Sequence, residues 1–166
     1  KLGKCVDVHV DQENNPDQTE TELLAIKTIE HGMQGRVFGV HAISVAAKDE
    51  REQDRIIAKV AEADMGIIIC PSAALSMKQL PMNGPLHNSI APFLKFREAG
   101  VRCYLGVDNV HDLFMPMVDG DIWTECRMLM EACRFNDIDA VAEWACAKPP
   151  SFQARRATQE LRRKAG

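Results

Sequence analysis

Four short runs of the chain are apolar or β-branched for about five residues each: Lys4–Asp11 (KCVDVHVD), Gly35–Ala42 (GRVFGVHA), Met65–Pro71 (MGIIICP) and Val101–Asp108 (VRCYLGVD). They read as strands apolar on both faces. Between them the apolar positions recur at helical spacing. Gln18–His31 sets Leu23, Leu24, Ile26 and Ile29 on one stripe, with Thr19 or Thr21 as the expected cap. Asp49–Ala63 does the same with Ile56, Ile57 and Val60. Asn88–Ala99 opens with Ser89 and Pro92 and stops at Gly100, and Asp119–Phe135 and Asp137–Ala147 follow the last strand. The order β-α-β-α-β-α-β-α-α, with strands starting roughly every 30 to 35 residues, has the length of repeated βα units. Doubly buried strands joined by helices imply a parallel sheet, either doubly wound or part of a (β/α)₈ barrel. Length alone favours the doubly wound sheet, because a complete barrel takes about 250 residues.

Composition agrees with a packed α/β body. The chain has 166 residues, 46% hydrophobic and 27% charged, which is globular rather than disordered. Its net charge of −4 argues against nucleic acid as a partner. The last twelve residues hold five basic groups (Arg155, Arg156, Arg162, Arg163, Lys164) and one acid, leaving 15 basic and 23 acidic groups, or −8, in the body. No apolar run reaches the 18 residues of a membrane span, so no membrane association is expected. Six cysteines without a Cys-x-x-Cys pair point to reduced, mostly buried thiols and a cytoplasmic setting. The opening Lys-Leu-Gly-Lys suggests a piece of a longer protein or the loss of an upstream segment.

The candidate chemistry closes the strands. His9 and Asp11 end the first, His41 the second and Asp108 the fourth. Parallel α/β folds collect ligands at this C-terminal edge. Two imidazoles and a carboxylate suit Zn²⁺ or Fe²⁺. Each residue also has a plainer reading: a hydrogen-bonded structural histidine, or an Asp that caps the next helix.

The runs Val6-Asp7-Val8-His9-Val10-Asp11, Gly39-Val40-His41-Ala42 and Gly106-Val107-Asp108-Asn109-Val110-His111-Asp112 resemble the second half of the amidohydrolase superfamily. The likeness is to its cytosine deaminase and triazine-ring hydrolase group. Glu30–Val37, Phe114-Met115-Pro116 and Gly120-Asp121 extend it over residues 5 to 147. The resemblance implies strands five to eight of a TIM-like, metal-dependent (β/α)₈ hydrolase over residues 1–147, with 148–166 a basic tail or non-native end. It implies one divalent ion, Zn²⁺ or Fe²⁺, with His9 and Asp108 as ligands, and Asp108 and His41 as catalytic groups. The implied substrate is a small nitrogen heterocycle cleaved at a C–N bond.

Two departures bear on that. Gln12 stands where deaminases of the group carry a proton-shuttling Glu, and Asn109 where cytosine deaminases have a second acid. These place Gln12, Asn109 and His111 as substrate-binding candidates and favour a C–N bond other than that of cytosine. The metal's strand-one His-x-His pair is absent, so the chain is expected to be inactive alone and to pair with the rest of the barrel or with another copy. Lys78 and Met82 are expected to line a substrate mouth, His31 to sit at a helix C-terminus and His87 in an exposed loop. Ala154–Ala165 reads as an exposed basic helix. The competing reading is a non-catalytic α/β binding or interaction module.

Overall fold

The computed structural model describes residues 3–78, 80 and 87–146. Met82 and the tail expected as a basic helix lie outside them. The element order is β1 (Val6–Val10), α1 (Glu20–Glu30), β2 (Val37–His41), α2 (Ile43–Ala46), α3 (Glu50–Glu62), β3 (Gly66–Ile69), α4 (Pro71–Ser76), α5 (Phe93–Glu98), β4 (Arg102–Leu105), α6 (Ile122–Cys133) and α7 (Ile138–Cys146). The four strands form one parallel sheet in the order β1-β2-β3-β4.

This order decides between the two architectures that the sequence left open. Right-handed crossovers advancing one strand at a time put every helix on the same side, whereas a doubly wound sheet reverses direction and uses both. The core agrees. Val37, Ile67, Ile69, Cys103 and Leu105 face one way and pack in a single cluster with Ala25 of α1, Ile56 and Val60 of α3, Phe96 of α5, Leu129 of α6 and Val141 of α7. The doubly wound form that length favoured is therefore not the one adopted: the sheet has the layout of a barrel segment.

The opposite sheet face carries different groups. In register, Phe38, Gly66 and Arg102 form one row, and Val40, Ile68 and Tyr104 the next. The Phe38 and Tyr104 rings meet edge to face at 5.7 Å, and the Arg102 guanidinium lies 5.6 Å from the Phe38 centroid. Gly66 makes this possible, since a Cβ there would stand 2.5 Å from Phe38 Cδ1. His9 pairs with Val40, so it shares this face rather than the helical one.

Local signals set most boundaries. Asp49 caps α3 by accepting from Glu52 N at 2.9 Å, and Asp121 caps α6 by accepting from Trp123 N at 2.9 Å. The helix expected over Asn88–Ala99 begins only at Phe93: Ser89 is left-handed (φ 65), and Pro92, which has no N–H to give, stands at the cap. Short helices α2 and α4 follow β2 and β3 directly and escaped the periodicity reading. At α1, Thr19 makes no side-chain cap bond. Asp11 supplies the cap from nine residues away, through Glu20 N at 2.9 Å and Thr21 N at 3.2 Å.

Candidate functional site

The sheet topology brings three of the strand-end residues together. His9 is the penultimate residue of β1, His41 the last of β2, and Asp108 follows β4. His41 Nε2 lies 3.0 Å from both His9 Nδ1 and Asp108 Oδ2, and His9 Nδ1 lies 3.7 Å from the same carboxylate oxygen. The two imidazoles meet edge-on with centroids 4.9 Å apart. His41 is buried, Asp108 partly so, and the His9 side chain is 49% exposed.

Burial pushes the His41 imidazole below its ordinary pKa, outweighing the pull of Asp108. Its Nδ1 is buried without a hydrogen-bond partner. A neutral His41 therefore carries its proton on Nε2, between two acceptors, and the contacts assign that tautomer.

The donor set suits a divalent metal. Tetrahedral coordination at about 2.0–2.1 Å requires ligand atoms roughly 3.3–3.5 Å apart. The three separations here, 3.0, 3.0 and 3.7 Å, straddle that range. They are the group of His, Cys, Asp and Glu side chains that could hold a cation among the described residues. On the sheet face that His9 shares, Val40 packs with Cys70, Ala73 and Ile68 in an apolar cluster. Gly106 passes so close that a Cβ would stand 2.9 Å from Ile68 Cγ2. Burial, then the charges of Asp108 and Glu125, push the Cys70 thiol up to about 12, so the metal-free protein holds it protonated.

The β2–α2 turn that aims His41 is unusual. His41 (φ 77) and Ala42 (φ 51) are consecutive left-handed residues other than glycine, a conformation costing on the order of 1 kcal/mol or more each. The turn is held from the end of β1 and the residue after it: Ala42 N donates to Val10 O at 3.2 Å, and Ile43 N and Ser44 N donate to Asp11 O at 2.8 and 3.3 Å.

The other sequence candidates lie in connecting loops or at a helix end. Gln12 is exposed in the loop after β1. Asn109 Nδ2 donates to Asp112 Oδ2, and His111 Nδ1 lies 3.2 Å from Pro116 O, so both are engaged within the loop after β4. His31 occupies the C-cap of α1, as its place in the sequence suggested. His87 is half-buried rather than exposed, and accepts from Ser89 N at 3.0 Å. The Lys78 carbonyl accepts from Asn14 Nδ2 at 2.9 Å.

Sequence reading passed over two buried charged groups. Glu125 is fully buried on α6 and accepts from both Ser72 N and Ser72 Oγ at the start of α4. Lys48 is buried and donates to the Pro16 carbonyl, pinning the loop after β1. An open groove of about 570 Å³ lies between α4 and α6, lined by Leu75, Thr124, Arg127, Met128, Glu131 and Ala132. None of the three converging donors lines it.

No protein-family model matches the sequence. Among individual proteins, an uncharacterised protein of Haemophilus influenzae is 43% identical over 91 residues, 55% of this chain and 33% of its own length. A pterin deaminase of Rhizobium rhizogenes is 25% identical over 158 residues, 92% of this chain and 36% of its own. An N-isopropylammelide isopropyl amidohydrolase of a Pseudomonas species is 29% identical over 126 residues, 74% and 28% respectively. The crystal structure of 5-methylcytosine deaminase from Klebsiella pneumoniae superposes with a TM-score of 0.77 at 19% identity, covering 86% of this chain and 35% of that one. The chain thus spans about a third of the length of the proteins it matches. Its homologues are deaminases and amidohydrolases of the amidohydrolase superfamily, whose TIM-barrel fold its four βα units share in part.

Proposed function

We propose that this chain is part of a metal-dependent amidohydrolase that cleaves C–N bonds of small nitrogen heterocycles, contributing strands five to eight of the barrel. The convergence of His9 Nδ1, His41 Nε2 and Asp108 Oδ2 at one sheet edge carries the reading. The activities named for its homologues suggest the reaction class. On this reading residues 1–147 are the barrel-derived unit and 148–166 an appended basic segment.

His9 and Asp108 would hold one divalent ion, Zn²⁺ or Fe²⁺. Such an ion, when bound, lowers the pKa of a coordinated water toward neutrality. Asp108 takes the proton of the attacking water and delivers it to the departing nitrogen. His41, kept neutral by burial, donates from Nε2 to the oxygen that gains charge at the attacked carbon. Gln12 offers an amide to a ring nitrogen or carbonyl; it exchanges no proton at neutral pH, which leaves the proton traffic to Asp108. Asn109 and His111, in the loop after β4, shape the far side of the substrate.

The sequence holds no His-x-His pair, so these residues supply part of a metal site rather than all of it. The remaining ligands then come from another βα segment, either the rest of the same barrel or a partner in an oligomer. The test is to substitute His9→Ala, Asp108→Ala and His41→Ala in the barrel that carries this segment. Bound metal should fall away in the first two, and release of ammonia or amine from a panel of pterins, pyrimidines and triazines should drop about 10²–10⁴-fold in the third. Unchanged metal and rates would favour the non-catalytic α/β module instead. This chain alone, supplied with Zn²⁺, should turn over little; full turnover would refute its incompleteness.

A further inference from the structure

We propose that Asp11 is a positioning residue that sets the mutual placement of His9 and His41, acting through backbone on both sides of the site. The inference rests on the proposed role of those histidines and deepens it.

Asp11 is buried, with 3% of its surface exposed, and left-handed at φ 51. Its carboxylate splits between two donors at the start of α1: Oδ1 accepts from Glu20 N at 2.9 Å and Oδ2 from Thr21 N at 3.2 Å. α1 is an eleven-residue helix packed through Ala25 into the main core, so this anchor is fixed by the body of the protein. The other end of Asp11 faces the site. Its carbonyl oxygen accepts from Ile43 N and Ser44 N, the two amides that follow the left-handed pair His41-Ala42. Asp11 also lies two residues beyond His9 on the same strand exit. One residue therefore ties the helix layer to the turn that aims His41 and to the strand that carries His9.

The left-handed pair makes the tie necessary. A turn of this kind relaxes unless neighbouring bonds over-determine it. Of the three amides beginning at Ala42, two are held by the Asp11 carbonyl and the first is shared by Val10 O and Val40 O. Losing the carboxylate frees the Asp11 backbone to leave φ 51, and the imidazole contact at 3.0 Å moves with it. Asn keeps one acceptor oxygen and tolerates the left-handed region, so it should restore part of the geometry; Ala does neither.

The experiment compares Asp11→Ala and Asp11→Asn with Asp49→Ala, which removes a helix cap of the same kind at α3, where Asp49 bonds neither the His41-Ala42 turn nor α1. Long-range ¹H–¹⁵N spectra of the metal-free chain read the ring nitrogens of His9 and His41 directly. The expected result is displaced ring resonances for both histidines in Asp11→Ala, a smaller displacement in Asp11→Asn, and wild-type positions in Asp49→Ala. Ring resonances in the Asp11 variants no different from those of Asp49→Ala would overturn the proposal. Should Asp11→Ala not fold, the comparison of Asp11→Asn with Asp49→Ala decides it on the same criterion. Co²⁺ titration of wild type and His9→Ala tests the metal reading separately: equal affinity sinks that reading and leaves the imidazole comparison to judge Asp11.

Discussion

Gly66 and Glu125 show how much of this structure rests on single side chains with no part in the chemistry. At Gly66 the absent Cβ lets the Phe38 ring lie across the sheet against Tyr104 and Arg102. Gly66→Ala should cost about 1–3 kcal/mol, read as a shift in the urea unfolding midpoint at unchanged slope. Glu125 satisfies two donors of Ser72 in a fully buried position. Glu125→Ala strands both, and a loss of about 2–3 kcal/mol is expected in the same measurement. A loss under about 0.5 kcal/mol would mean that water replaces the carboxylate. Neither position announces itself in the sequence. Gly66 opens an apolar run, and Glu125 reads as one acid among several on an amphipathic helix.

At the scale of elements, the strand-ending residues and the apolar stripes were legible because their signals are local. Asp49 with Glu52 marks the start of α3 within four residues, and Gly100 marks the stop before β4. What escaped depends on contacts across the chain. For α1 the cap expected at Thr19 or Thr21 is instead Asp11, the helix-capping role open to a strand-end Asp, because the loop folds back and delivers its carboxylate from nine residues upstream. Helices α2 and α4 are four and six residues long, too short for a period to emerge. His41 stood out by position, but the left-handed turn that aims it did not: in Val-His-Ala-Ile only the histidine leans toward positive φ, and Ala42 follows it there without any such preference. The cysteines carry the element-scale prediction. Cys70 and Cys103, buried against β3 and β4, have thiols pushed up to about 12 by burial. At pH 8 they remain protonated and inaccessible, while Cys5 and Cys146 are exposed. A thiol-reactive probe should modify Cys5 and Cys146 quickly, and Cys70 and Cys103 only after unfolding; early labelling of Cys70 by peptide mapping would contradict the packing of β3.

For the whole molecule, length was the weakest guide and strand order the strongest. A chain of 166 residues suggested one doubly wound domain, yet sequential parallel strands with a one-sided helical layer belong to a barrel segment. Among the described residues β1 and β4 each pair on one side only, and β1 is largely exposed. Unpaired parallel edges recruit further strands. We expect this chain by itself to sediment as a dimer or larger species; a monomer at every concentration would count against a half-barrel. No helix among the described residues is long and apolar enough to cross a membrane. We propose that His9 and Asp108, beside His41, hold part of a metal site. Co²⁺ titration followed by its visible absorption tests this most directly. Weak binding of one ion per chain is expected, lost in His9→Ala and in Asp108→Ala at preserved fold; binding of equal strength in wild type and both variants would contradict a metal held by these residues.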